Sequence, residues 1–250
     1  MNVAKILSIV NQKGGVGKTT TSVNLSAALA MSGKKTLLVD IDPQCNATSA
    51  LGHSPAAHHG LTGTESLPDS IVETDVLHLG LLPGSRSFHD ADVLAETGDR
   101  STARVRKHLD SVMSDYEYIL IDCPPSAGAM TETALTASTE VLIPIQCEYF
   151  AMVGVTQLIG TIKKVITATD GRLTFGGILL TMYDESLELT REVDEEVRDF
   201  FGDIVFESVV PRDVALCEAP SHGQTVFQYA PRSRGAFAYT QLCMEVLQRD

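Results

Sequence analysis

The stretch Val10-Asn11-Gln12-Lys13-Gly14-Gly15-Val16-Gly17-Lys18-Thr19-Thr20 constrains this chain more than any other. It follows a short apolar run, Ile6 to Val10, and precedes a segment with helical spacing. Val23, Ala27 and Met31 lie on one side of that helix, and Leu25, Ala28 and Leu29 on the other. Strand, glycine-rich turn and helix is the context that a phosphate-binding loop requires. Glycines let backbone N–H groups converge on an anion, and the helix N-terminus adds partial positive charge. Gly14, Gly15, Val16 and Gly17 therefore read as a nucleotide cradle. Lys18 is placed to reach β- and γ-phosphates, and Thr19 to ligate Mg²⁺ through its hydroxyl. Thr20 is placed to hydrogen-bond a phosphate nearer the sugar.

The loop departs from the ordinary pattern G-x-x-x-x-G-K-[ST]. Gln12 stands where the first glycine belongs, and a second lysine, Lys13, precedes the glycine pair. Two lysines around one small loop concentrate charge that a polyanion between them would balance. In this the loop resembles the deviant Walker A ATPases, the group that includes the ParA/Soj partition proteins and MinD. The resemblance implies ATP and Mg²⁺ as ligands. It also implies that Lys13 crosses a nucleotide-sandwich homodimer to touch the partner's phosphates.

The chain has 250 residues, 44% of them hydrophobic, which suits one large α/β domain spanning 1–250. No run approaches the length of a membrane span, and Met1-Asn2-Val3-Ala4-Lys5 shows no signal-peptide pattern. Five scattered cysteines without a C-x-x-C fit a reduced cytoplasm, with no disulfide framework and no zinc site. A formal net charge of −13 disfavours indiscriminate attraction to DNA or anionic lipid. The expected location is the cytoplasm, with nucleoid association as an extension and no membrane partner.

Further along, Gly33 reads as the stop of the first helix. Thr36 to Ile41 reads as a buried strand that delivers Asp40 and Asp42 to its C-terminal edge, where ligands bind in open parallel sheets. A carboxylate there is suited to orienting water or holding a metal shell. Asp40-Ile41-Asp42-Pro43-Gln44 resembles the family's switch I, in which the second aspartate, here Asp42, helps to activate the attacking water. Cys45 stands where the family usually has a small residue, often glycine. Residues 52 to 70 read as an exposed connection with one short helix, and His53, His58 and His59 as solvated. Val76 to Leu82 reads as a strand. Ser101 to Met113 reads as an amphipathic helix with Val105, Leu109 and Val112 inward and Arg104, Arg106 and Lys107 outward.

Tyr118-Ile119-Leu120-Ile121-Asp122 has the Walker B pattern, which places Asp122 on Mg²⁺ through water. Cys123 follows it. A cluster shared between subunits, as in related nitrogenase iron proteins, needs a second suitable cysteine, so Cys123 reads as a small buried hydrophobe. Val141 to Gln146, Gly176 to Thr181 and Ile204 to Val210 read as strands. Gln146-Cys147-Glu148-Tyr149-Phe150 leads into a helix through Ala168, and Leu189 to Phe201 and Ser233 to Leu247 read as helices. The last faces Ala236, Tyr239, Cys243, Val246 and Leu247 inward. In ParA relatives the turn Pro211-Arg212-Asp213 lies against the adenine, usually with Asn where Asp213 stands.

The resemblance runs from Lys5 to Leu247 and includes Glu218-Ala219-Pro220-Ser221-His222-Gly223. It implies an α/β fold with a doubly wound, mostly parallel sheet flanked by helices. It implies an ATP hydrolase in which Lys13, Lys18 and Asp42 are catalytic, and in which Thr19 and Asp122 hold the metal. Its implied partners are a ParB/Spo0J-like activator and non-specific DNA, with partition of a chromosome or plasmid as the role. Two arginines that usually contact DNA are replaced here by Ser186 and Ala215, which weakens a phosphate-driven affinity. Arg191, Arg198, Arg212, Arg232, Arg234 and Lys163-Lys164 remain. The alternative is an orphan ParA-like ATPase that positions a protein cargo or regulates through protein contacts. A third reading is a metabolic enzyme on the same fold, such as a dethiobiotin-synthetase-like ligase, against which the site motifs discriminate.

Overall fold

Apolar runs buried on both faces form parallel strands covered by helices on both sides. The computed structural model describes residues 4–63, 66–95, 99–126, 128–148 and 151–249, with backbone alone at 88, 99–104 and 151–154. Its strands are β1 (Lys5–Ile9), β2 (Thr36–Asp40), β3 (Val72–Glu73), β4 (Leu79–Leu82), β5 (Tyr118–Asp122), β6 (Glu140–Gln146), β7 (Thr174–Tyr183) and β8 (Val205–Pro211). They form one sheet in the order β3-β4-β2-β5-β1-β6-β7-β8. Every neighbouring pair is parallel except β3 with β4.

The helices are α1 (Lys18–Met31), α2 (Asn46–Ala50), α3 (Phe88–Leu94), α4 (Asp99–Asp110), α5 (Ala129–Ala137), α6 (Ala151–Ala168), α7 (Glu188–Phe201), α8 (Val214–Glu218), α9 (Val226–Tyr229) and α10 (Arg234–Gln248). Alternate strand residues feed two cores. Ile6, Val39, Ile119, Ile121 and Ile143 pack under α4 to α7. Leu7, Ile9, Leu38, Leu120 and Leu142 pack under α1, α2 and α8 to α10. The sheet is therefore doubly wound and mostly parallel. Among the described residues no helix is long and apolar enough to cross a membrane.

β1 lies between β5 and β6, where the strand order turns, and the crevice outside the strand ends at such a point is the usual ligand site. β2, β5 and β1 are adjacent, with Asp40 opposite Asp122 and Ile9 opposite Asp122. The loop after β1 and all three aspartates thus leave the sheet at one edge.

Several boundaries differ from the sequence reading. The strand expected over 76–82 is only Leu79–Leu82, and the two-residue β3 beside it carries no periodicity to detect. α3 was not anticipated. β7 runs longer than expected, through Tyr183. α1 has no exposed side along most of its length, because α10 and α2 cover what the sheet does not; Met31 alone among the six apolar positions assigned to its faces is exposed. Tyr149, Phe150 and the Arg104 side chain lie outside the described residues.

β6 and β7 slip register where Val141 faces Phe175 but Leu142 faces Gly177. The buried Phe206 ring fills the space over Gly177, and the Arg249 guanidinium covers that ring at 4.1 Å. A Cβ on Gly177 would lie 2.2 Å from the ring. Gly177→Ala should therefore cost about 1–3 kcal/mol of overpacking. Thermal unfolding should report this as a midpoint lowered by roughly 2–4 °C per kcal/mol; an unchanged midpoint would mean that Phe206 has room to retreat.

Candidate active site

The loop between β1 and α1 takes its shape from backbone sign. Gly15 and Gly17 have φ of 76° and 86°, and a Cβ on either would meet nothing closer than ordinary contact. Conformation, not space, calls for glycine there. Gly17 caps α1 without a side chain, so the first-turn N–H groups are offered to the loop's interior. The buried Val16 anchors the loop from below, and Thr181 of β7 donates its hydroxyl to the Val16 carbonyl at 2.9 Å. Asn11 ties the loop's start to β6: its Nδ2 donates to the Pro144 carbonyl at 2.7 Å and its Oδ1 accepts the Lys13 N–H at 3.0 Å.

The two lysines separate. Lys18 is buried, and its Nζ donates to the Lys13 carbonyl at 3.0 Å. Burial lowers its pKa, and the charges of Asp122 and Asp42 oppose that shift. Lys13 sends its side chain to the surface, where it pairs with Glu148 just after β6; both side chains are nearly half exposed. Glu148 also accepts the Gln146 amide. Gln12, in place of the usual glycine, keeps its Nε2 buried with no hydrogen-bond partner among the described residues.

Asp122, fully buried at the end of β5, accepts the Thr19 hydroxyl at 2.9 Å and the Ser22 hydroxyl at 2.7 Å. Burial pushes its pKa up to about 7, the neighbouring Asp40 adds to the rise, and the two hydroxyls oppose it. Ser22 was missed in the sequence, although it lies one helical turn beyond Lys18 on the same face.

Asp40 needs a correction. The expectation was a carboxylate facing water or a metal. Its oxygens are instead taken by the chain itself: Oδ1 accepts the Asp42 N–H at 3.2 Å, and Oδ2 accepts the Thr48 N–H at 2.8 Å and hydroxyl at 2.6 Å. Burial raises its pKa to about 6. Asp42, 5% exposed, accepts the Gln44 N–H at 2.9 Å and stands at the rim of the site. Cys45 adopts φ 54°, ψ 39°, which explains why a glycine suits this position. Its side chain is buried against Asp40 and Gly84.

His59 also departs from expectation. Of the three histidines read as solvated, His58 is exposed but His59 is 2% exposed. Its Nε2 lies 2.9 Å from the Asp40 carbonyl, and its Nδ1 accepts the Leu61 N–H at 3.1 Å. Cys123 lies in the core, where burial raises its thiol pKa.

Beside the phosphate loop is a mostly apolar cavity of about 280 Å³, lined by Gly17, Thr20, Met182, Pro211, Asp213 and Tyr239 among others. It brings Thr20, Pro211 and Asp213 together. Each Asp213 carboxylate oxygen already accepts a backbone hydrogen bond: Oδ1 from the Ala215 N–H at 3.0 Å and Oδ2 from the Gly235 N–H at 2.7 Å. It caps α8 and braces α10. On the other flank, Gly223 of the Glu-Ala-Pro-Ser-His-Gly stretch packs on Gly52, and a Cβ on Gly223 would lie 2.7 Å from the Gly52 Cα.

The profile of a family described as an AAA domain matches residues 4–175. The sporulation initiation inhibitor protein Soj of Bacillus subtilis is 47% identical, with 98% of each chain covered. The chromosome-partitioning ATPase Soj of Treponema pallidum is 45% identical, with 99% of each covered. The chain belongs to the ParA/Soj family of partition ATPases. Among solved structures, cobyrinic acid a,c-diamide synthase of Mycobacterium smegmatis with bound ADP and magnesium superposes with a TM-score of 0.83. It is 33% identical, with 98% of this chain and 95% of that one covered. Its synthase activity belongs to that protein; the two Soj relatives share more of this chain's sequence, and the Treponema one is named a chromosome-partitioning ATPase.

The raised Asp122 pKa makes a testable demand on this ParA/Soj site. A carboxyl held above its ordinary value of about 3.9 binds an extra proton in the folded state. Its stabilising contribution is full below about pH 4 and is lost as pH rises through about 7. Thermal midpoints of nucleotide-free wild type should therefore fall, relative to Asp122→Asn, as pH increases across that window. Parallel curves would show Asp122 ionised throughout.

Proposed function

We propose that the chain is an ATP-driven dimerisation switch that serves the partition of a chromosome or plasmid in the cytoplasm. One observation carries the reading: Lys18 is buried inside the phosphate loop, while Lys13 stands on its outer surface. A lysine exposed beside a complete cradle is free to serve a second copy's phosphates. Its pair with Glu148 is exposed and worth little, so a phosphate can replace it.

The loop fits a nucleotide. Gln12 Nε2 is a buried donor unmatched among the described residues, Lys18 has a neutral carbonyl for its ammonium, and left-handed glycines expose N–H groups. Thr19 and Asp122 would hold Mg²⁺ once the hydrogen bond between them gives way, and the metal would neutralise charge on the β- and γ-oxygens. Asp42 orients the water for in-line attack, and Lys13 and Lys18 stabilise the charge that develops. The base enters the cavity between Thr20 and Pro211. A ParB-like protein stimulates turnover, and non-specific DNA is the track.

Lys18→Ala should abolish nucleotide binding. Lys13→Ala should retain ATP but lose both dimerisation, read by light scattering, and hydrolysis. A fully active Lys13→Ala protein would remove the cross-dimer role.

A second reading, an orphan ATPase acting through protein contacts, draws on the face around Ser186. The Ser186 N–H and hydroxyl both go to Asp184 Oδ1, at 3.1 Å and 2.6 Å, and Glu185 and Glu188 are exposed beside it. Arg212, Arg232 and Arg234 line a groove of about 780 Å³ nearby. Binding of Asp42→Ala to random-sequence duplex DNA, with ATP and with ADP across a salt series, decides between the readings. ATP-dependent binding with a steep salt slope supports the partition role on DNA. A clear ATP dimer that ignores DNA at low salt supports the orphan role.

A further inference from the structure

We infer that His59 is a positioning residue for hydrolysis: its imidazole fixes the end of β2 and thereby sets where Asp42 stands. The inference rests on the reading of Asp42 as the group that orients water.

β4 pairs with β2 as far as Val39, which faces Leu82. One residue further on, His59 Nε2 lies 2.9 Å from the Asp40 carbonyl and takes the place of a strand partner there. The tautomer follows from the other nitrogen. Nδ1 accepts the Leu61 N–H, so Nε2 carries the hydrogen and donates. The backbone of the same residue is held as well, through its main-chain N–H. Asp90, itself 2% exposed, accepts the His59 N–H at 2.8 Å. Asp90 also accepts the Ser85 and Thr62 hydroxyls, each at 2.7 Å.

From Asp40 the chain of contacts runs forward. Oδ1 takes the Asp42 N–H, and Oδ2 takes Thr48, whose hydroxyl in turn accepts the Gly84 N–H at 2.8 Å. The segment from Asp42 to Thr48 is thus tied at both ends to one buried carboxylate, and that carboxylate's own backbone is tied to α3 through His59. Buried, satisfied networks of this kind rigidify what they hold. A catalytic group displaced by about 1 Å loses on the order of 10²-fold in rate.

The test compares His59→Leu, which removes the donor, with His59→Gln, whose amide keeps an N–H within similar reach. Hydrolysis is followed in single-turnover assays of the full chain, and ATP affinity is measured separately by equilibrium binding. His59→Leu should lose roughly 10- to 100-fold in hydrolysis with ATP affinity within about twofold of wild type, and His59→Gln should recover most of the rate. In an Asp42→Ala background, adding His59→Leu should cost nothing more. A wild-type rate in His59→Leu beside an inactive Asp42→Ala overturns the positioning role alone. So does a joint loss of rate and affinity that His59→Gln does not repair. A wild-type rate in Asp42→Ala overturns the Asp42 assignment and this inference with it. If His59→Leu does not fold, His59→Asn replaces it: its shorter amide fails to reach the Asp40 carbonyl, so a reduced rate with retained affinity is expected, and an unchanged rate overturns the role.

Discussion

Asp122 is the carboxylate on which the site is hung. It ends β5, between β1 and β2, and is withdrawn from solvent. Two hydroxyls of α1, those of Thr19 and Ser22, reach down to it, so the first turn of the helix is clamped to the sheet. That clamp sets the angle at which α1 leaves the loop, and the angle determines where the helix N-terminus points. The cost of burying the charge shows in its raised pKa. Strands, loop and helix are thus oriented by one group that is uncomfortable when ionised and alone, which is the condition a divalent cation relieves.

Around this point the protein divides its work by depth. Lys18, Asp40 and Asp122 are buried and hold geometry; Lys13 and Glu148 are at the surface and are available to other molecules. Asp213 belongs with the first group, because it joins the starts of α8 and α10 at the wall of the apolar cavity. The Gly52–Gly223 contact brings the end of α2 against the turn after α8 with no side chain between them. Movement at one of these backbones is felt directly by the other.

Much of this was legible in the residues. The strands that bear the site are apolar runs, and the doubly wound sheet was implied by the family resemblance that the loop and the Asp122 pattern carry. The order of the strands within it was not read from the residues. What stayed hidden is non-local. His59 looked like one of three loop histidines, yet its partners lie 19 residues back in Asp40 and 31 residues ahead in Asp90. Asp40 looked free because the turn that returns Thr48 to it has no signature of its own. β3 escaped because two residues form no pattern, and the exposure of Met31 depends on where α10 stops covering α1. The replacements at Ser186 and Ala215 were visible, but the groove that gathers Arg212, Arg232 and Arg234 brings together residues from separate turns.

The left-handed Cys45 loads the segment that contains Asp42 with a local backbone cost. A glycine there would enter and leave that conformation without penalty, whereas a residue with a Cβ carries about 1–2 kcal/mol against it. The surrounding hydrogen bonds hold the residue in place, so the segment rests under tension, like a bent spring. Loosening the bonds at Asp40 releases that energy toward other arrangements. The substitution therefore biases the segment against the backbone arrangement it holds, by an amount set at a single torsion.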